Sequence, residues 1–90
     1  MTWRIRFDPA AEKELKKLDR LDTLRILRFL SDRVAKLDDP RGIGEALKGA
    51  KLGSLWKYRV GDYRIIADIQ DGELCILVVR IGNRREIYRR

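Results

Sequence analysis

Lys57, Arg59 and Arg64 are the residues of this chain whose types and spacing point most directly to chemistry. They lie in the stretch LWKYRVGDYRIIADI, residues 55–69, which reads as two strands joined by a tight turn at Val60, Gly61 and Asp62. Successive side chains of a strand point to opposite faces. Leu55, Lys57 and Arg59 therefore share one face, while Trp56, Tyr58 and Val60 share the other. In the second arm Arg64 is opposite in parity to Tyr63 and Ile65. A strand that only covered a core would have no use for cations between its aromatics. This one reads as held to the core by one face and meeting a polyanion with the other. Arg84 and Tyr88, four apart, share a face with one another if the C-terminal segment is extended. Such a set binds phosphate by charge and by the bidentate fork of arginine.

Cleavage of RNA by these groups would need three things. The 2′-hydroxyl must lose a proton as it attacks the adjacent phosphorus, the charge on the phosphorane oxygens must be stabilised, and the leaving 5′-oxygen must be protonated. Arginine serves the second need. The chain contains no histidine, so Lys57 and Tyr88 are left for proton transfer within this set. Both types have reference pKa values near 10. A dense cationic site lowers both, through repulsion of the ammonium and attraction of the tyrosinate. The same residues also suit a plainer role, as solvated cations guarding an edge strand against aggregation. Alternating K-x-R in a strand is common.

Composition bounds the partners. Ninety residues make one domain, expected to span residues 1–90. A domain this small buries only about 60% of its unfolded surface. The net charge is +7, and it is uneven. Residues 1–45 hold 11 Lys/Arg and 9 Asp/Glu, a balance of +2, and residues 46–90 hold 10 and 5, a balance of +5. The excess sits in the half that contains the hairpin, which favours nucleic acid or the acidic face of a protein. The single cysteine, Cys75, allows no intramolecular disulfide, and its place in LCILVV favours burial over reactivity. No leading apolar run and no 18-residue apolar span is present. A cytoplasmic protein that needs no membrane, metal or cofactor is expected.

The elements that must position the cluster follow in chain order. WRIRF alternates as a short half-buried strand. Asp8 is an N-cap and Pro9 a first helical residue, opening a helix over about residues 9–18 with Ala11, Leu15 and Leu18 on one stripe. A second helix, capped by Asp22, runs to about residue 37 on a stripe of Leu27, Leu30, Val34 and Leu37, widened by Leu24, Ile26 and Phe29. Residues 41–53 hold four of the seven glycines and read as a loop with a short turn of helix near Glu45, Ala46 and Leu47. After the hairpin, Asp71-Gly72 signals a two-residue turn. LCILVVRI reads as a central strand, and Gly82-Asn83 as a turn before the arginine-rich end. The fold class is α+β in the order β-α-α-β-β-β, an antiparallel sheet with a helical hairpin on one face.

LKGAKLGSLWKYRVGDYRIIADI followed by VVRIGNRREIY, with the opening DPAAEKELKKL, resembles the RelE/ParE superfamily of toxins from toxin–antitoxin pairs. The likeness covers essentially the whole chain in order. RelE-type members resemble small microbial ribonucleases in fold and cut mRNA in the ribosomal A site. The resemblance implies that Lys57 and Arg59 form the basic pair on the hairpin, with Lys57 in proton transfer. It implies that Arg59, Arg64 and Arg84 hold the scissile phosphate, and that Tyr88 stacks on a base or orients the 2′-hydroxyl. Lys48, Lys51, Arg85, Arg89 and Arg90 are assigned to RNA binding. Two positions depart from the family pattern. Arg59 stands where some members carry lysine, and Asn83 where many carry histidine. The sequence runs two residues past Tyr88, so no long C-terminal helix is expected. The implied function is a metal-independent, ribosome-dependent endoribonuclease that inhibits translation, with a cognate antitoxin, the ribosome and mRNA as partners. The alternative is a ParE-like toxin of the same fold that inhibits DNA gyrase and cuts no RNA.

Overall fold

The structure is a computed structural model that describes residues 2–47 and 55–83. Among these residues the order is β1 (Arg4–Phe7), α1 (Pro9–Lys16), α2 (Arg20–Arg28), β2 (Glu45–Ala46), β3 (Leu55–Val60), β4 (Tyr63–Gln70) and β5 (Cys75–Asn83). The five strands form one sheet in the order β1-β5-β4-β3-β2. It is mixed and mostly antiparallel. β1 alone runs parallel to its neighbour, pairing Arg4 with Cys75 and Phe7 with Val78. The last strand thus returns between the first and the fourth, and β5 is central, as its apolar run predicts.

The local signals behave as expected where a side chain acts on its own backbone. Asp8 accepts from the Ala10 N–H at 3.1 Å, and Pro9 opens α1. Gly61 takes φ +58° in the two-residue turn between β3 and β4, where an L side chain would be strained. The second helix differs from expectation. Its cap is Asp19, which accepts from the Asp22 N–H at 2.9 Å, so the helix opens at Arg20. Asp22 lies inside the first turn and accepts from the Tyr63 hydroxyl at 3.0 Å. The α-helix ends at Arg28, followed by a π turn, Phe29–Arg33, and a 3-10 turn, Val34–Lys36. Ile26, Leu30 and Val34 are spaced by four. A straight α-helix would rotate that series off the sheet, and the wider π turn offsets the drift. All three are fully buried.

Three other turns depart from the sequence reading. Glu45 and Ala46 form a strand rather than helix, pairing with Lys57 and Trp56. Tyr58 dictates this. Its hydroxyl donates to the Pro40 carbonyl at 2.7 Å, and a Cβ on Gly44 would meet its ring at 2.8 Å, so the segment is drawn along β3. The β4–β5 connection is a 3-10 turn, Asp71–Glu73, followed by Leu74 at φ 49°, not a two-residue Asp-Gly turn. Arg41 reaches across to hold the Asp71 carboxylate there. Gly82 and Asn83 continue β5, because β4 offers Arg64 and Tyr63 as partners.

The helices cover one face of the sheet. Ile26, Leu30, Val34, Tyr58, Ile65, Ile76, Val78 and Ile81 form its core, with Trp56 packed at the margin. Tyr58 meets Phe29 edge to face at 6.1 Å. Cys75 is fully buried, as expected. Among the described residues no helix is long and apolar enough to cross a membrane.

Candidate nucleic-acid interface

The parity read from the hairpin holds in the fold. Trp56, Tyr58 and Val60 face the helices, so Lys57 and Arg59 face away from them. Tyr63 and Ile65 likewise pack on the helix side, which turns Arg64 to the face away from the helices. Arg59 and Arg64 are direct cross-strand partners, and Lys57 pairs with Ile66. Three cations from two strands therefore share one side of the sheet. Two guanidiniums facing each other in register repel. No carboxylate among the described residues lies within ion-pair reach of either one.

Arg64 is the unusual member. Among the described residues it is the one charged member of the buried set, at 9% exposure, and its Nη1 is buried without a hydrogen-bond partner. Its partner on β5 is Gly82, which brings no side chain over it. A buried donor left unsatisfied costs about 1–3 kcal/mol, and more when charged. Arg59 remains exposed beside it.

Carboxylates hold Lys57 and Arg80 near this face. Glu45 Oε1 lies 3.3 Å from Lys57 Nζ. Arg80, in register with Ile66, is taken by Glu14 of α1 at 3.2 Å, and the same carboxylate accepts the Ile81 N–H at 2.9 Å. β1 ends at Phe7, so Glu14 occupies the stretch of β5 that β1 does not reach. Replacing Glu14 with Gln is expected to lower stability by about 1–3 kcal/mol through the lost charge-assisted bonds. A urea melt of the purified variant checks this; an unchanged midpoint would contradict it. On the helix side, Arg41 bridges Asp39 and Asp71 and lies 5.9 Å from the Trp56 ring centroid. Its hydrogen bond holds the Asp71 carboxyl below its ordinary value.

Arg84 and Tyr88 of the expected catalytic set lie outside the described residues, as do Lys48, Lys51, Arg85, Arg89 and Arg90. Two features escaped the sequence reading. One is the burial of Arg64, at 9% exposure. The other is Glu45, whose pairing with Lys57 appears only once β2 is a strand.

Residues 5–88 match the family described as the ParE toxin of the type II toxin–antitoxin system, parDE. The chain belongs to the RelE/ParE toxins. Toxin RelG of Mycobacterium tuberculosis (strain ATCC 25618 / H37Rv) is 27% identical over 90 residues, covering 100% of both chains. The toxin–antitoxin complex RelBE2 of Mycobacterium tuberculosis contains a chain with TM-score 0.83 and 23% identity, over 93% of this chain and 93% of that one. The archaeal RelE–RelB complex of Pyrococcus horikoshii OT3 gives TM-score 0.70 and 28% identity, over 93% and 97%. The α+β architecture above is thus a RelE-like fold, and the protein is a toxin of a type II toxin–antitoxin system. In this RelE/ParE toxin Lys57, Arg59 and Arg64 lie on the face of the sheet away from the helices.

Proposed function

We propose that this toxin is a ribosome-dependent endoribonuclease that cuts mRNA in the A site and thereby stops translation. The observation that carries the reading is the buried Arg64 guanidinium, its Nη1 without a hydrogen-bond partner, set opposite Arg59 on the face away from the helices. Two forks without carboxylate partners among the described residues suit a phosphodiester that gains charge as the 2′-hydroxyl attacks. Arg64, Arg59 and Arg84 stabilise that charge, and Lys57 takes part in proton transfer. Tyr88 stacks on a base or orients the attacking hydroxyl. Lys48, Lys51, Arg85, Arg89 and Arg90 follow the RNA backbone. The protein works in the cytoplasm and is neutralised by a cognate antitoxin that brings acidic residues to the basic face.

Inhibition of DNA gyrase is the second reading, favoured by the ParE description of the matching family. It assigns no role to a buried unpaired guanidinium. Primer extension on mRNA from cells expressing the toxin separates the two. Codon-phased cuts that vanish in Arg84→Ala and Tyr88→Phe are expected. Intact mRNA together with cleaved chromosomal DNA would contradict the nuclease.

A further inference from the structure

We infer that Arg80 is a further RNA-binding residue of this face: a β-bulge turns it to the side of Lys57, Arg59 and Arg64, Glu14 fixes it there, and it takes a phosphate flanking the scissile one. The inference deepens the nuclease reading and rests on it for the place of the scissile phosphate. The placement of Arg80 itself rests on register.

Alternation alone would send Arg80 into the core. Ile76 and Val78 both belong to the helix-side core, and Arg80 continues their series. The register shifts between Ile66 and Ala67. Ala67 pairs with Val78 and Ile66 with Arg80, so Val79 is left without a partner on β4. One extra residue in a strand exchanges the faces of all that follow. Ile81 thereby enters the core, and Arg80 and Gly82 turn away from the helices. Both consequences fall on the proposed site. Gly82 stands beside Arg64 without a side chain, and Arg80 enters the row that runs through Ile66 to Lys57. By strand spacing and rise, the Arg80 Cα lies about 10 Å from that of Lys57 and roughly 8 Å from that of Arg64. Asp68, opposite Leu77, marks the end of the basic area beyond the bulge.

Glu14 prepares the side chain. Arg80 Nε donates to the two Glu14 oxygens at 3.3 and 3.2 Å, Nη2 lies 3.2 Å from Oε2, and the Ile81 N–H holds the same carboxylate at 2.9 Å. That carboxylate comes from α1 along the stretch of β5 that β1 does not reach, so the guanidinium lies to one side of Arg64 and Arg59. The Arg80 side chain is 39% exposed, and no described residue takes its Nη1. A guanidinium is a planar fork of donors, so a carboxylate on one edge leaves the other for a phosphate oxygen. A long side chain already held in place loses little rotamer freedom when it binds. The negative charge of Glu14 keeps the gain modest.

The test pairs altered messages with altered toxin in cleavage on programmed ribosomes. Each message carries an uncharged methylphosphonate at one or the other phosphate flanking the cut. The unaltered toxin is expected to lose roughly tenfold in kcat/KM at one of these two positions, mostly through KM. Arg80→Gln is expected to lose about as much on the natural message and nothing further on that altered one. Arg80→Lys, which keeps the charge, is expected to fall between, and it serves alone if urea melts show Arg80→Gln unfolded. Losses that multiply at both positions, as from a purely structural residue, overturn the inference. So does an unaltered toxin indifferent to both altered messages. If the unaltered toxin leaves the natural message whole, the nuclease reading fails, and binding of the same RNA decides the place of Arg80. One phosphate contact fewer lowers the slope of log affinity against log salt by about 0.7. An unchanged slope in the variant, or RNA that does not bind, overturns the inference.

Discussion

Arg64→Met is expected to make the protein more stable and to abolish cleavage. The arginine is 9% exposed, carries a buried Nη1 without a partner, and has no ion-pair carboxylate among the described residues. A charged group in that position weakens the fold, and an apolar side chain of similar reach removes the cost. The gain is expected to be about 1–3 kcal/mol. In a domain of this size each kcal/mol raises Tm by roughly 4–8 °C. In the reaction the same substitution removes a fork aimed at developing charge, a loss of about 100- to 1000-fold in kcat. Arg64→Lys keeps the charge without the planar fork and should fall between the two in activity. Urea denaturation and single-turnover cleavage on programmed ribosomes check both halves. A destabilised Arg64→Met would mean that the guanidinium anchors the sheet instead.

Tyr58→Ala is expected to bring the largest loss of stability. The ring is 1% exposed, packs edge to face on Phe29, supports Gly44 and donates to Pro40. Truncating a buried aromatic costs about 3–5 kcal/mol. A chain of this length has roughly 5–13 kcal/mol in total. The damage should extend to the site, because the loop that delivers Glu45 loses its anchor. Tyr58→Phe keeps the packing, loses one buried hydrogen bond, and should cost about 1 kcal/mol.

The milder variant also isolates a pH effect. Burial pushes the Tyr58 hydroxyl up to about 12, with Arg41 opposing the rise and Asp39 adding to it. Its proton is therefore held longer in the folded chain than in the unfolded one. The stability that this group contributes is complete below pH 10 and is lost as pH climbs from there to about 12, some 2–3 kcal/mol in all. Tyr63, raised by its hydrogen bond to Asp22, acts in the same direction. Urea melts between pH 9 and 12 should show a steeper alkaline decline in the parent than in Tyr58→Phe. Equal slopes would contradict the assignment.

The sequence announced those features that one residue imposes on its own neighbourhood. Asp8 and Pro9 start α1, Gly61 makes the turn, and period-two alternation sends Lys57, Arg59 and Arg64 to one face. Features that arise from distant partners were hidden. Asp71 looked like half of a hairpin turn until Arg41, 30 residues earlier, claimed its carboxylate. Glu45 looked helical because two residues carry no period, and only Tyr58 draws them into the sheet. Alternation revealed which way Arg64 points. Its burial arises only in the assembled fold, which no local pattern encodes.

The most direct measurement is the chemistry of the ends left on a message. The folded toxin is added to ribosomes programmed with a defined mRNA, in parallel with Arg64→Met. The account predicts a 2′,3′-cyclic or 3′-phosphate on the upstream fragment and a 5′-hydroxyl on the downstream one, with the message intact in the variant. A message left whole by the unaltered toxin, or cut equally fast by Arg64→Met, would contradict it.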